Sequence, residues 1–432
     1  MQNLINATVN SADVLMLSMV NQSSLSAVSL ANQVHFLLTG FYYGVTSGVT
    51  MLVSQYWGRN DKRSILTVMG IALELSIGVT VLFTLACCFC PEFIMTIFTK
   101  DPELIRIGAD YLRIIGFSYL LMSVSQVYLC VMRSMERARV STIISCTALF
   151  LNIILNAVFI FGLFHAPKLG VIGVSIATVI ARAVELLLCF CDAVRNRVLP
   201  FSLSGLFKRN QALFRDFIHY SLPALGNDFS WTLAFSSYSI ILGHLGSDMV
   251  AASSVATTVR DLCTVVCFGI SSGGAVLLGK SIGAGEMKEA KKNASRICRV
   301  TLLFGFLTAI IILVSRPLII SVIELTDTAY SYLNVMLLIS SYYVIGQAIN
   351  TTVITGIFRA GGDSRFGFLC DTIVMWCIAV PLGFLSAFVF HFPPLVVYFI
   401  LCLDEFWKIP TVYKHYKSYK WLKNITRDFP DS

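Results

Sequence analysis

The sequence repeats itself: residues of its first half recur about 225 positions later. At an offset of 225, five first-half residues meet identical partners: Gly44, Ser47, Gly48, Leu52 and Gly58 align with Gly269, Ser272, Gly273, Leu277 and Gly283. At an offset one residue longer, Arg133 and Arg139 align with Arg359 and Arg365. Internal duplication in an apolar chain is typical of secondary transporters, whose site lies between the repeats.

The composition places most of the chain in a bilayer. Hydrophobic residues make up 56% of 432 and charged residues only 13%, against about 25% charged in soluble domains. A soluble core cannot bury that much apolar surface. Several cysteines lie in apolar runs without partners at zinc-ligand spacing, so we interpret them as small buried side chains rather than metal ligands or disulfides.

The basic residues are confined to alternate connections. Of the 32 Lys and Arg residues, 25 fall in six segments, which are 59–63, 133–139, 195–215, 280–299, 359–365 and 408–427. The intervening connections are nearly uncharged. This positive-inside pattern predicts a multi-pass protein of the cytoplasmic membrane with both termini in the cytoplasm. Aromatic residues do not interleave with the basic ones, so no nucleic-acid partner is expected.

Apolar stretches of about 20 residues predict an all-α polytopic membrane protein with twelve transmembrane helices in two pseudo-symmetric six-helix lobes. The predicted spans are 3–21, 25–56, 65–95, 107–132, 140–164, 170–194, 216–243, 248–282, 295–323, 329–358, 366–390 and 394–413. The predicted domains are an N-terminal lobe, a cytoplasmic linker, a C-terminal lobe and a basic tail, over 1–199, 200–213, 214–412 and 413–432. Six spans per lobe make the repeats parallel.

The first span is expected to be truncated. Pro223 precedes Tyr238 by 15 residues, and Tyr238 aligns with Asp13 in the repeat. The matching proline of the first half would precede Met1, so the sequence is expected to lack the start of that helix.

Asp13 is the sharpest functional candidate. It stands alone in an apolar span, and an ionisable side chain there costs roughly 2.5 to 3.5 kcal/mol on insertion scales. An unpaired carboxyl group in such surroundings favours its protonated form. We therefore interpret Asp13 as a proton or sodium site. The alternative is an acid near a helix end that is exposed to water.

Three uncharged polar residues are candidates to join Asp13. Asn152 and Asn156 are four residues apart in the fifth span and share a helix face. Their amides suit either a desolvated cation or polar contacts between packed helices, and both interpretations stay open. Thr178 in the sixth span is a weaker candidate, since threonine often bonds its own helix backbone.

The second half offers its own acids. Asn227 and Asp228 follow the helix-bending Pro223, and function and packing are equally favoured for them. Asp371 is expected to pair with Arg359 or Arg365. Charges at helical spacing favour structural pairing within two further sets, Arg182 with Glu185, and Asp404 and Glu405 with Lys408. Arg260 remains unassigned.

No enzymatic motif is present. The sequence lacks a Walker loop, a dinucleotide fingerprint, a zinc-protease helix and a nucleophile elbow. We expect no enzyme activity and no cofactor beyond a coupling ion.

Ordered motifs over nearly the whole chain resemble the multidrug and toxic compound extrusion (MATE) family. The segments that carry the resemblance are 27–33, 44–48, 53–58, 151–156, 170–173, 279–285 and 359–363. The resemblance implies two six-helix lobes around a central cavity and exchange of drug for protons or sodium. It places Asp13, Asn152, Asn156 and Thr178 in the cation-coupling site, with possible sodium at Asp13, Asn152 and Asn156.

Two departures from the family leave the ion undecided. Archaeal members have an acid where Asn156 stands, and the NorM-type branch has a tenth-helix acid where this chain has Gln347 or Ala348. Asp228 falls near the seventh-helix acid of that branch, so Asn227, Asp228 and Asp371 are second-lobe candidates.

The sequence therefore predicts a monomeric H+- or Na+-coupled antiporter that exports small organic, cationic substrates and contacts membrane lipid. A lipid-linked oligosaccharide flippase of the same superfamily is the alternative. Its need for a basic cavity for pyrophosphate fits poorly with mostly acidic intramembrane charge. A non-transporting scaffold would not explain isolated acids and duplicated glycine-rich helices.

Overall fold

A computed structural model describes residues 22–163, 167–195, 198–199, 210–323 and 325–427. Helices form nearly all of these ranges, and no strand occurs within them. The predicted first span, with Asp13, and most of the predicted linker lie outside the described residues.

One compact unit comprises the residues up to Val53 together with Asn60–Phe217. Its helices are α1 (Gln22–Gly58), α2 (Lys62–Phe89), α3 (Pro91–Phe98), α4 (Pro102–Ser134), α5 (Ala138–Phe161) and α6 (Gly170–Arg195). Its apolar core lies between α1, α2 and α4, where Leu38, Cys87 and Leu112 are fully buried.

Proline and aspartate set the helix boundaries of this unit. The predicted span 65–95 is wrong at its end, because α2 stops at Phe89 and Pro91 begins the separate helix α3. Proline is favoured at the first helical position, where it has no N–H to satisfy. Asp61 caps α2 by accepting the Ser64 backbone N–H at 3.0 Å, and Asp101 caps α4 in the same manner.

The second unit comprises Ser54–Arg59 and the residues from Ile218 onward. Its helices are α7 (Gln211–Gly243), whose first turn belongs to the first unit, α8 (Ser247–Gly283), α9 (Met287–Val322), α10 (Asp327–Asn350), α11 (Ser364–Thr372), α12 (Pro394–Leu401) and α13 (Asp404–Ser418). Turns of π-helix extend α10 to Phe358 and, with a short α-helical piece, α11 to Val389. One apolar core of this unit joins α7, α8, α9, α10, the extended α11 and α12.

Nine helices of the described ranges are long and apolar enough to cross a membrane. Many of their apolar side chains face outward, such as Leu303 and Val314 on α9, which are 67% and 73% exposed. A bilayer is the environment in which such surfaces are stable. The predicted span 394–413 is wrong as one helix, because Cys402 and Leu403 separate α12 from α13. Asp404 and Glu405 then occupy the first turn of α13, where the helix dipole favours negative charge.

The repeated glycines mark a close helix crossing inside the second unit. A Cβ atom on Gly283 would lie 2.6 Å from the backbone carbon and 2.7 Å from the Cα of Gln55. A Cβ atom on Gly58, its repeat partner, would lie 2.8 Å from the backbone nitrogen of Ala284. Each glycine therefore lets the backbone of the other helix approach, as small residues do in membrane helix packing.

The C-terminal segment packs against the same place. Gln55 donates through Nε2 to the carbonyl of Ala360 at 2.8 Å and accepts the backbone N–H of Ile425 at 2.9 Å. Trp421 is fully buried beside them. The last residues of α1, which belong to the second unit, are thus held within that unit by both packing and hydrogen bonds.

Gly283→Ala is expected to destabilise the protein, because the new methyl group must displace backbone. Overpacking of this kind costs about 1 to 3 kcal/mol, and the thermal midpoint of the purified protein in detergent measures it. Gly273→Ala is the matched control on α8, since a Cβ there meets nothing within 4 Å. Equal midpoints for the two variants would contradict the close crossing.

Candidate functional site

The first unit brings together three of the predicted coupling residues. On α5, Asn156 donates through Nδ2 to Oδ1 of Asn152 at 3.3 Å. Asn152 donates through its own Nδ2 to the hydroxyl oxygen of Thr178 on α6, also at 3.3 Å. Thr178 in turn donates to the carbonyl of Val174 at 2.9 Å. The side chains form one continuous polar chain from α5 to α6.

This chain is buried in an apolar unit. Asn156 is fully buried and Asn152 is 8% exposed. Both lie on the face of α5 that packs against α6, as the spacing of four residues predicts. Amide and hydroxyl oxygens are the ligand type that hard cations take, and they also accept a hydrogen bond from a protonated carboxyl group. The fourth predicted member, Asp13, lies outside the described residues, so its role stays a prediction.

The sixth-span charges are paired, as predicted. Arg182 donates to the buried carboxylate of Glu185 at 2.8 Å, one turn away on α6. Ser125 on α4 donates to the same carboxylate oxygen at 3.2 Å. These contacts satisfy a carboxylate that is only 1% exposed and explain it as a structural element of the first unit.

In the second unit, Asn227 and Asp228 bind an arginine from the end of the extended α10. The Nη2 atom of Arg359 lies 2.7 Å from Asp228 Oδ1, and its Nη1 lies 3.4 Å from Oδ2. Arg359 also donates through Nη2 to Oδ1 of Asn227 at 3.1 Å. This two-pronged contact is the strong geometry for guanidinium and carboxylate.

The expectation that Asp371 pairs with Arg359 or Arg365 is wrong. Asp371 accepts from Nδ2 of Asn227 at 2.8 Å, and its other oxygen lies 3.1 Å from the ammonium of Lys408. Arg359 is engaged by Asp228 instead, and α13 runs beside α11 so that Lys408 reaches the carboxylate. The second-lobe candidates Asn227, Asp228 and Asp371 therefore do form one network, which continues into α13.

Lys408 is the centre of that network. Besides Asp371, it contacts the carboxylate of Glu405 at 3.1 Å, which confirms the predicted pairing within α13. Asn350 on α10 donates to the second oxygen of Glu405 at 2.8 Å. Lys408 is 1% exposed and Glu405 2%. One ammonium thus lies between two buried carboxylates from different helices.

Asp404 is fully buried next to this pair but is held differently. One of its oxygens accepts the backbone N–H of Glu405 at 2.8 Å, and the other accepts the hydroxyl of Tyr238 at a long 3.4 Å. Its neighbour Arg260, which the sequence left unassigned, lies over the rings of Tyr343 and Phe235, with 4.9 and 5.6 Å to their centres. Ring faces stabilise a desolvated guanidinium in this arrangement.

Two features of the two units were not predicted from the sequence. The contact of Lys408 with Asp371 has no local signal, because the residues lie 37 positions apart and on separate helices. Glu74 does have a local signal in the sequence, because it is an acid far inside the apolar helix α2. Its side chain lies exposed on the surface of the first unit. The rule that singled out Asp13 applies to Glu74 as well.

Lys408→Met is expected to destabilise the protein strongly, because it leaves two buried carboxylates without their cation. Breaking such a pair costs about 3 to 5 kcal/mol, measurable as a fall in the thermal midpoint. Adding Asp371→Asn should recover part of the loss. Lys414→Met, at an exposed position of α13, is the control. No recovery in the double variant would contradict a charge-based cause.

Comparisons with known proteins agree with this architecture. The model of the MatE family matches residues 1–158 and 223–385. An uncharacterised transporter of Bacillus subtilis, YisQ, is 21% identical over 96% of this chain and 91% of its own length. A probable multidrug resistance protein NorM of Rhizobium meliloti is 26% identical over 89% of this chain and 83% of its own.

A solved structure of MATE in the straight conformation superposes with a TM-score of 0.86 at 16% identity, covering 96% of this chain and 92% of that one. This likeness shows the fold, a two-lobed helical membrane protein, and confirms the predicted fold class. The family model spans well over half of the sequence, and the resemblance noted from its motifs is confirmed. The chain belongs to the MatE family and is a multi-pass membrane transporter, not an enzyme.

Proposed function

We propose that this protein is an antiporter that exports small organic cations in exchange for H+ or Na+. The observation that carries the proposal is the buried Asn152–Asn156–Thr178 chain, a polar site without a structural counter-charge among its own members. Relatives that bear the name multidrug resistance protein support the export of small molecules. The positive-inside pattern supports a cytoplasmic-membrane location with both termini in the cytoplasm.

The mechanism rests on competition for negative charge. A carboxylate in an apolar unit binds either a coupling ion or a cationic substrate, because holding both leaves excess positive charge in low dielectric. Asp13 is the residue we assign to this role, with Asn152, Asn156 and Thr178 as neutral ligands. Binding of the ion to one conformation more tightly than to the other shifts the population between them. Only a few kcal/mol of differential binding is needed.

The flippase alternative finds less support. A site for pyrophosphate needs unengaged basic groups, and Arg182 and Arg260, two arginines inside predicted spans, both have partners. Arg182 is bound to Glu185 at 2.8 Å, and Arg260 is covered by two aromatic rings.

We also propose that the transporter works as a monomer surrounded by lipid.

Asp13→Asn is expected to reduce ion-driven export of ethidium from proteoliposomes at least about tenfold, since a neutral amide cannot exchange a counter-charge. Proton and sodium gradients are imposed separately, so the wild-type protein also identifies the ion. Asp110→Asn is the control, because its side chain is 47% exposed and, among the described residues, forms only a surface contact with Arg113. Export that is driven by neither gradient in the wild type would overturn the proposal, and an unaffected Asp13 variant would remove that residue from it.

Asn156→Ala is expected to slow ion-driven export by about tenfold, a loss near 1.4 kcal/mol, because it removes the inner end of the polar chain. Thr147→Ala is the control on the same helix, where the hydroxyl donates to the carbonyl of Ile143 in its own helix. Initial export rates at a fixed gradient measure both variants. Equal rates would show that the amide cluster serves packing alone.

A further inference from the structure

One buried cluster in the second unit holds three acids and a single contacting base. Asp371, Asp404 and Glu405 are 5%, 0% and 2% exposed, and Lys408 is the only basic side chain within 4 Å of any of them in the described residues. Arg260 acts on Asp404 from a greater distance, but it also has a carboxylate of its own, Asp261, at 3.8 Å. If all three buried acids were ionised, the cluster would carry a net negative charge that burial strongly disfavours.

The contacts single out Asp404 as the acid without a cation. Asp371 and Glu405 each place one oxygen 3.1 Å from Lys408 and use the other to accept an amide N–H, from Asn227 and Asn350 respectively. Asp404 forms no ion pair within 4 Å in the part of the chain described, and one of its two hydrogen bonds is long, at 3.4 Å. Placing a proton on Asp404 therefore disturbs no ion pair.

A second feature points at the same position. The hydroxyl of Tyr343 is fully buried and has no hydrogen-bond partner among the described residues. It lies within electrostatic range of Asp404, Glu405 and Arg260. A buried hydroxyl without a partner is costly, and a phenol can accept a hydrogen bond from a protonated carboxyl group or donate one to a carboxylate. Tyr343 thus suits a carboxyl group that changes its protonation state.

The titratable groups that face Asp404 come from several neighbouring elements. They are Tyr238 on α7, Arg260 on α8, Tyr342 and Tyr343 on α10, Cys402 in the break before α13, and Glu405 and Lys408 on α13. Tyr398 on α12 interacts with Arg260 and Cys402. Among the described residues, none of these groups places a cation within 4 Å of Asp404.

We propose that Asp404 is a reversible proton-binding site of the second unit, and that Lys408 is the fixed cation of the neighbouring carboxylates Asp371 and Glu405. The ammonium lies between those two carboxylates and repels a second cation. In the described ranges, no group of three or more His, Cys, Asp or Glu side chains is placed to hold a metal ion. The inference deepens the proposed antiport by naming a proton site separate from Asp13.

Infrared difference spectroscopy of the full chain in detergent tests this site with the proton itself as the probe. Since Asp13 is expected to titrate as well, the Asp13→Asn variant serves as the background. Raising the pH from mildly acidic to mildly alkaline should remove a protonated-carboxyl band. That band should persist with Asp327→Asn, an exposed carboxyl on α10, and be lost with Asp404→Asn.

A band that survives Asp404→Asn unchanged would overturn the proposal. Circular dichroism and the thermal midpoint establish that each variant is folded. If Asp404→Asn does not fold, Asp404→Glu is used instead, and the band should then move in frequency; an unmoved band would equally overturn the assignment. The measurement needs no substrate or ion gradient. It can therefore succeed or fail independently of the transport assays that test the proposed antiport.

Discussion

Charges that are removed from water must find partners, and this constraint organises the second unit. Arg359, Asp228, Asn227, Asp371, Lys408 and Glu405 form an unbroken series of contacts that links α7, α10, α11 and α13. Each buried ion of the series left without its partner would cost several kcal/mol, so separation or sliding of these helices requires a new arrangement of partners. Interfaces of this kind favour discrete arrangements over continuous deformation.

Packing without a hydrophobic driving force supplies the other constraint. Lipid is as apolar as leucine, so helices associate through close backbone contact. The duplicated glycines Gly58 and Gly283 provide that contact at one crossing. Because the two glycines are repeat partners, a single duplication accounts for both of them. Each helix of the pair presents a residue without a side chain to the backbone of the other. Other repeated glycines, such as Gly269 and Gly273, face open space, so repetition alone does not identify a contact.

Local periodicity predicted much of this architecture, and partners between helices account for what it missed. The apolar spans and the shared face of Asn152 and Asn156 follow from helical geometry alone. The partner of Asp371 does not, because it depends on where α13 lies beside α11. Its charge alone places Lys408 in the basic cytoplasmic segment 408–427, yet its side chain is buried. No proline or glycine marks the break at Cys402 in the sequence. The acids that follow the break account for it only when their partners in the fold are known.

The two units solve the problem of membrane polarity with different chemistry. The described site of the first unit is built from neutral amides and a hydroxyl, which can accept an ion without first losing another. The second unit contains a cation of its own, Lys408, fixed by two carboxylates. A site that already holds an ammonium can change its charge most simply by binding or releasing a proton, because exchange of a metal ion would require the lysine to move away. On this reasoning we propose that the two units differ in the coupling ion they accept, with a metal ion suited to the first unit and a proton to the second.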